Sequence, residues 1–572
     1  MASNNVDSIF EVKMFKKNIT HLQTKLLSTI AFLPKKVIEL LQKSWAAIFY
    51  KHIFIKIDEN KFSVLFSNKK SRPNFPINIY VALEVMKTLF NWSDEEMLSN
   101  FHLNLQVCYA VGIENFGDIT LSPRTVYYNR KRILDYEEET GINLFKEVFN
   151  EITDEEIKAL NIDTSIQRMD SSMISSNIKK MSRLEISIKV LQSLYKELSE
   201  TQRNRVEKLV KDYIDSDADG ITFKLRNSDI DEQLKKVGEI LHYIYTIYQN
   251  DISVNTLKSF EHVKRILDEQ FMVEDDNTSI ILKPPNEISS SSLQNPADDE
   301  ATYRCKKNQA YQGYVFNIAE TCSKDNKAQL ITDISVCTNN TSDEQMLKEH
   351  LPELKQRTDL KEMVVDGAYS GETTENVCEK EEVNLIFTGI KGAKQSDEKL
   401  GLHDFYFNEN HIEFCPQGHK PISQKYDSNS HRHVVRFDKE QCSRCPLREH
   451  CCVQDRKKFT TLYFNDQQMR VAKKRKQFTD EEYCIKQKLR PAIEGTISLF
   501  KRRTFKGKLK VRGHKRVRNM IILTALAINF RRIVSVVDDI FCFLLNILVK
   551  SLKKLKFYMM LSYIELSLSD YY

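Results

Sequence analysis

The chain has 572 residues, 41% of them hydrophobic and 29% charged, and its formal net charge is +6. That length is too great for one hydrophobic core and the composition excludes a disordered chain, so two to four globular domains are expected. So small a net charge does not by itself call for a polyanionic partner, and the distribution of charge has to decide.

The N-terminus, MASNNVDSIFEVKMFKK, has no unbroken apolar run of the kind a secretory signal needs. Seven of the twelve cysteines are scattered, which fits a reduced, cytoplasmic protein. Residues 1–54 carry mixed helical signals and read as an N-terminal extension. Residues 55–150 read as an all-helical domain. Asn78 to Leu89 is its first clear helix, Ser93-Asp-Glu-Glu caps a second, and Ser122-Pro123 opens a third. The third helix bears Tyr127, Tyr128, Arg124, Arg130, Lys131 and Arg132. Such a helix suits a DNA reader, and it equally suits a packing or oligomerisation domain.

From 158 the pattern changes. NIDTSIQRMDSS alternates like a strand and is expected to end on Asp170. After Arg183 the period becomes helical, and residues 184–272 read as two or three long helices in an insertion that extends to 295. Within it, DSDADGITFKLR imitates a calcium loop but carries Arg226 where a bidentate Glu is needed, so it reads as a turn. From 301, YQGYVFNIAETC and AQLITDISVCT read as adjacent strands. EHLPELKQR is a helix, KEMVVDGAYSG a strand, TTENVCEKEE a helix and VNLIFTGIKG a strand. That alternation predicts a mixed α/β sheet flanked by helices.

A second insertion, 395–465, is rich in cysteine. FCPQGHK supplies Cys415 and His419, and EQCSRCPLREHCC supplies Cys442, Cys445, Cys451 and Cys452. Thiolates with this spacing suit a tetrahedral structural Zn²⁺ held by Cys415, Cys442, Cys445 and Cys451, with His419 in reserve. Reduced cysteines in a β-rich insertion are the plainer alternative. Residues 480–503 and 515–532 are again helical. The tail, 533–572, holds the most apolar run, Ile540 to Val549. Its ten residues fall well short of the roughly 20 of a membrane span, so an amphipathic or buried helix and no membrane are expected.

Two aspartates, Asp170 and Asp366, close strand-like segments, and each is followed by small residues. Glu494 stands on a helix beginning near Pro491. Oxygen ligands of this kind are what Mg²⁺ or Mn²⁺ takes, and two such ions serve phosphoryl transfer. Each carboxylate alone reads equally well as a turn or a solvated helix face. The block beside Glu494 weighs against that: residues 501–518 hold ten Lys or Arg and no acid. Lys501, Arg502, Arg503, Lys506, Lys508, Lys510, Arg512, Lys515 and Arg516 suit a phosphate backbone.

Four stretches, RMDSSMISSNIKKMSRLE, ATYRCKKNQAYQGYVFNIAET, VVDGAYSG and RPAIEGTISLFKR, occur in this order. Together they resemble bacterial insertion-sequence transposases of the DDE type with a separate N-terminal helical domain. The family's spacing of Tyr, Arg, Glu and Lys is met by Arg490, Glu494 and Lys501, with Gln487 in place of the tyrosine and Tyr483 one turn earlier. The resemblance covers roughly 55–532 and implies an RNase H-like DDE catalytic domain over 158–532, with the helical domain recognising DNA ends. It implies that Asp170, Asp366 and Glu494 hold two Mg²⁺ or Mn²⁺ ions, and that Gly367 and Ala368 leave room for them. Arg490 and Lys501 would position phosphates. The expected reaction is cleavage of double-stranded DNA at terminal inverted repeats and strand transfer into target DNA, by a homodimer in the synaptic complex, in the cytoplasm at the nucleoid. A transposase-derived DNA-binding protein, or a nuclease that cuts without joining, are the alternatives.

Overall fold

Capping chemistry fixes the N-terminal helices where the sequence places them. In the computed structural model, which describes residues 15–23, 28–67, 73–273, 280–306, 308–390, 399–504 and 507–537, helices α1 (Trp45–His52), α2 (Ile77–Phe90), α3 (Asp94–Leu103), α4 (Pro123–Thr140) and α5 (Leu144–Ala159) follow one another. Ser93 accepts from the Glu96 amide at 3.1 Å and the Glu96 carboxylate accepts from the Ser93 amide at 2.6 Å, a reciprocal cap on α3. Ser122 caps α4, with Pro123 in its first turn.

These helices do not form a separate domain. One continuous apolar cluster runs from Ala46 through α2 and α5, takes in Tyr314, Phe316 and Val336 of the sheet, and ends on Phe530. The closing member is a long C-terminal helix, His514–Val537, whose Phe530 ring meets Phe49 at 5.1 Å. Asn143 donates to Asn519 at 2.6 Å across the same seam. The expected boundaries at 54/55 and 532/533 therefore fall within continuous packing, the second inside a helix. His514–Val537 is long and apolar enough to cross a membrane, but 67% of its most apolar window is buried within the protein. The apolar run Ile540 to Val549 lies outside the described residues.

The sheet has six strands: β1 (Ile166–Ser175), β2 (Thr302–Lys306), β3 (Gln309–Thr321), β4 (Ile331–Thr338), β5 (Glu362–Val365) and β6 (Asn384–Phe387). β3 lies antiparallel between β4 and β1, with β2 paired to its first residues, and β5 and β6 continue from β1 as parallel neighbours. β3 is buried on both faces from Gln312 to Thr321, as a central strand covered by helices must be. Helices α6 (Asp343–Arg357) and α7 (Glu372–Lys380) supply the parallel crossovers.

Asp333 of β4 shows how firmly the sheet is clamped. It is ion-paired to Lys146 of α5, and lies 3.3 Å from His350 of α6. Burial pushes its carboxyl up, but Lys146 and His350 outweigh that and hold it far below the usual carboxylate range. A depressed acid contributes stability that is present above about pH 4 and lost as pH falls through its folded pKa. Asp333→Ala leaves the Lys146 ammonium facing a buried hole, and should cost about 3–5 kcal/mol, read as a lowered denaturant midpoint at neutral pH.

Between β1 and β2 the helical insertion has its own core. It contains four long helices, Arg183–Glu197, Glu200–Ile214, Ile230–Tyr248 and Lys258–Gln270, where two or three were expected. Polar breaks at Ser199, which caps the second of them, and at Asp251, which caps the single turn Ile252–Asn255 ahead of the fourth, divide what periodicity alone runs together. After β6, the cysteine-rich segment builds a four-stranded sheet around Val435, Phe437, Leu462 and Phe464. Helices α8 (Asp466–Gln477), α9 (Glu481–Gln487) and α10 (Ile493–Lys501) follow it, and α11 (His514–Val537) ends the described chain.

Candidate active site

Asp170 is not at a strand end as expected. It is the fifth of ten residues in β1, because β1 stays paired to β3 as far as Ser175, with Asp170 opposite Ile318. Its other neighbour does end there. β5 pairs with β1 in parallel through Ile166–Glu362, Gln167–Met363 and Arg168–Val364. The same offset of 196 carries Asp170 to Asp366, one residue beyond β5. The sheet thus splits at this level, and two aspartates distant in sequence stand side by side at the split.

Asp366 caps a short turn, Gly367–Tyr369, accepting from the Gly367 amide at 2.6 Å. The glycine does not leave space for a ligand: a Cβ there would lie 2.7 Å from the Gly389 carbonyl oxygen. It allows the chain leaving β6 to pass close behind the site.

Helix α10 buries Ile493, Thr496, Ile497 and Phe500 on one stripe and leaves Glu494, in its first turn, 68% exposed. One turn earlier lies Arg490, and its guanidinium draws the set together. Arg490 Nη2 is 2.9 Å from Asp170 Oδ2 and 3.6 Å from Asp366 Oδ2, and Nη1 is 3.6 Å from Glu494 Oε1. Asp170 is the recessed member, with its side chain 14% exposed. Burial pushes the Asp170 carboxyl up and Asp366 adds to this, while Arg490 and the Ser171 amide pull it back, leaving it above the ordinary value.

Among the described residues no group of three or more His, Cys, Asp or Glu side chains is arranged to hold a metal ion. The three carboxylates turn to the guanidinium instead. As a donor set they are hard oxygens around a central cation and carry more negative charge than Arg490 cancels, which suits Mg²⁺ or Mn²⁺. Gln487, in the tyrosine position, faces away from them: it donates to the Phe387 carbonyl at 2.7 Å, and Tyr483 accepts from the Phe387 amide at 2.7 Å. Both residues fasten α9 to the end of β6.

The basic residues divide into two kinds. Lys501, Arg502, Lys510, Arg512, Arg516, Arg124 and Lys131 are exposed. Lys508 donates to the Ile178 carbonyl and Lys515 pairs with Glu138. Arg132 lies over the Phe66 ring. Two expected DNA contacts are corrected. Arg130 gives its guanidinium to Glu84 and Asp94 inside the helical bundle. Arg503 is buried, donating to the Thr88 and Leu499 carbonyls. Both guanidiniums are engaged within the fold and not turned to an open surface. Lys506 lies outside the described residues. The block is also not a free loop, since Leu509 and Val511 exchange backbone hydrogen bonds with Ser175 and Asn177 at the end of β1.

Cys415, Cys442, Cys445 and Cys451 line one pocket with His419, although no three of them are set closely enough to grip an ion as placed. The His419 amide donates to Cys415 Sγ at 3.4 Å.

Residues 414–534 match the family described as a transposase DDE domain. That match supports a DDE-type transposase. The resemblance read from its motifs is thereby supported over the segment that holds the cysteine pocket, Arg490, Glu494 and the basic block. Asp170 and Asp366 lie before the matched segment, and it is the fold that brings them to it. No curated protein and no solved structure matches the chain.

Proposed function

We propose that this protein is a transposase that cuts double-stranded DNA at the ends of its own element and transfers the freed strand into target DNA, with Asp170, Asp366 and Glu494 as its acidic triad. The observation that carries the reading is their convergence on Arg490 from three parts of the chain. The strand order, antiparallel from β4 through β3 to β1 and parallel from β1 through β5 to β6, supports an RNase H-like core.

The three carboxylates would hold two Mg²⁺ or Mn²⁺ ions, which when bound supply charge neutralisation at the scissile phosphate and an activated nucleophile. Asp170, fixed within a strand, sets the floor of the site, while the more exposed Asp366 and Glu494 face the side from which DNA approaches. Arg490, released from part of its pairing, is placed to contact a phosphate oxygen. Lys501, Arg502, Lys510, Arg512 and Arg516 give the adjoining surface its attraction for the backbone. The chemistry is two direct displacements at phosphorus: water attacks the phosphodiester and releases a 3′-hydroxyl, which then attacks a target phosphodiester and expels its 3′-oxygen. Joining two ends calls for two such sites, hence a homodimer.

The test is cleavage of labelled DNA carrying the element's ends, with Mn²⁺, followed by joining to a plasmid. Cleavage at the repeat boundary with joining is expected. Binding without cutting would favour a transposase-derived DNA-binding protein, and cutting without joining a nuclease.

We also propose that Cys415, Cys442, Cys445 and Cys451 hold a structural Zn²⁺, a reading supported by their convergence on one pocket in a segment with a small apolar core. Elemental analysis should find about one zinc per chain, reduced in Cys442→Ser. Zinc-free, fully folded protein would overturn it.

A further inference from the structure

Glu320 sits at the end of β3, fully buried, directly across from Arg168 of β1. A buried carboxylate costs free energy unless it is paired and hydrogen-bonded, and every partner of Glu320 leads to the candidate site. Arg168 Nε donates to Glu320 Oε1 at 2.7 Å. Arg168 is two residues before Asp170 and so shares its face of the sheet. The other end of the same guanidinium donates from Nη1 to the Leu489 carbonyl at 2.7 Å, one residue before Arg490. On its second oxygen, Glu320 Oε2 accepts from Thr496 Oγ1 at 2.8 Å, two residues after Glu494 on α10. Arg532 of α11 closes the group, donating to Glu320 Oε2 at 2.8 Å and to Thr496 Oγ1.

From this geometry we infer that Glu320 is a positioning residue that sets β1, the turn before α10 and α10 itself in one register, and thereby fixes the separation of Asp170, Arg490 and Glu494. The inference rests on the proposed acidic triad. Glu320 reaches none of those three side chains. It holds the backbone that carries each of them, through one carboxylate with both oxygens committed. The turn at Arg490–Ala492 and the first turn of α10 have no side-chain cap of their own, so their placement relative to β1 depends on contacts of this kind.

The test uses the full chain and two exchanges. Thr496→Val removes the hydroxyl that links α10 to Glu320 and keeps the shape, whereas Thr496→Ser keeps the hydroxyl. Glu320→Gln removes the charge that both arginines share. Binding of DNA ends, half-saturating Mn²⁺ and turnover are read for each, together with the melting temperature. In Thr496→Val, turnover should fall about 10²-fold, the scale of an ångström-level misplacement, half-saturating Mn²⁺ should rise several-fold and end binding should stay unchanged, with Thr496→Ser restoring all three. Glu320→Gln should behave as Thr496→Val or worse, and if it fails to fold the threonine pair still decides. A lowered melting temperature with unchanged Mn²⁺ dependence and turnover in Thr496→Val would show a purely structural network and overturn the inference. If the wild type does not cut at all, but Mn²⁺ still stabilises it and that response weakens in Thr496→Val alone, the positioning role survives while the transposition reading fails.

Discussion

Asp366→Ala is expected to abolish cleavage of element-end DNA, lowering the rate by at least about 10³-fold, a loss equivalent to about 4 kcal/mol of transition-state stabilisation. Binding of the same DNA should change by no more than about twofold, because the exposed lysines and arginines that would meet the backbone lie elsewhere. The fold should persist. Arg490 keeps its closer partner, Asp170 at 2.9 Å, and loses only the longer approach to Asp366. The cap on Gly367–Tyr369 is lost too, which costs about 1 kcal/mol, too little to account for the expected defect. Asp366→Asn separates the two effects. The amide keeps an oxygen for the Gly367 amide but cannot serve as a metal carboxylate, so it should be stable and as inactive as the alanine variant. A turn-forming aspartate would give the opposite pattern, a slightly less stable protein that cuts normally, and that result would remove Asp366 from the site.

What the sequence showed well was what local chemistry controls. The α3 cap was legible as Ser-Asp-Glu-Glu, and the strands around Val365 and Phe316 as apolar runs with their own turn signals. What it concealed depended on partners distant in the chain. Asp170 reads as a strand end because the alternation weakens into Ser171-Ser172. It is mid-strand because β3 supplies hydrogen bonds as far as Ser175. Gly367 reads as open space beside a carboxylate, yet the space belongs to Gly389. The count of cations in 501–518 cannot reveal that Arg503 turns inward to Thr88, nor the one in α4 that Arg130 is spent on Glu84 and Asp94. A domain boundary at 54/55 looked reasonable only while α11 was unplaced, since that helix completes the core of α1 and α2. Glu320 was overlooked, although a signal was present. A charged residue near the end of a largely apolar central strand, YVFNIAET, needs a buried partner, and Arg168 in a neighbouring strand offered one.

Arg490 makes the other prediction with a large effect, and it is two-sided. In the metal-free protein a single guanidinium stands among three carboxylates. A divalent ion entering the site competes with it, so Arg490→Gln should bind Mn²⁺ more tightly in the absence of DNA, by about tenfold, or about 1.4 kcal/mol. Turnover at saturating Mn²⁺ should nevertheless fall by about 10²–10³-fold, the usual cost of removing one charged donor from a developing phosphoryl charge. The pH dependence follows from Asp170. Its folded pKa lies above the ordinary value of 3.8, with burial the largest cause and Arg490 the largest opposing one. A raised acid contributes stability that is fully present below its unfolded pKa and lost as pH rises through its folded pKa. Without Arg490 the Asp170 pKa moves higher still, so the loss of stability should extend further into the weakly acidic range. Mn²⁺ binding, which needs the ionised carboxylate, should show its midpoint shifted upward in the same direction. Melting temperatures with EDTA and with Mn²⁺, taken from pH 4 to pH 8, measure both. Unchanged metal affinity and an unchanged pH profile in Arg490→Gln would mean that the guanidinium is not the cation the carboxylates answer to, and that the three acids are held together by the sheet and α10 alone.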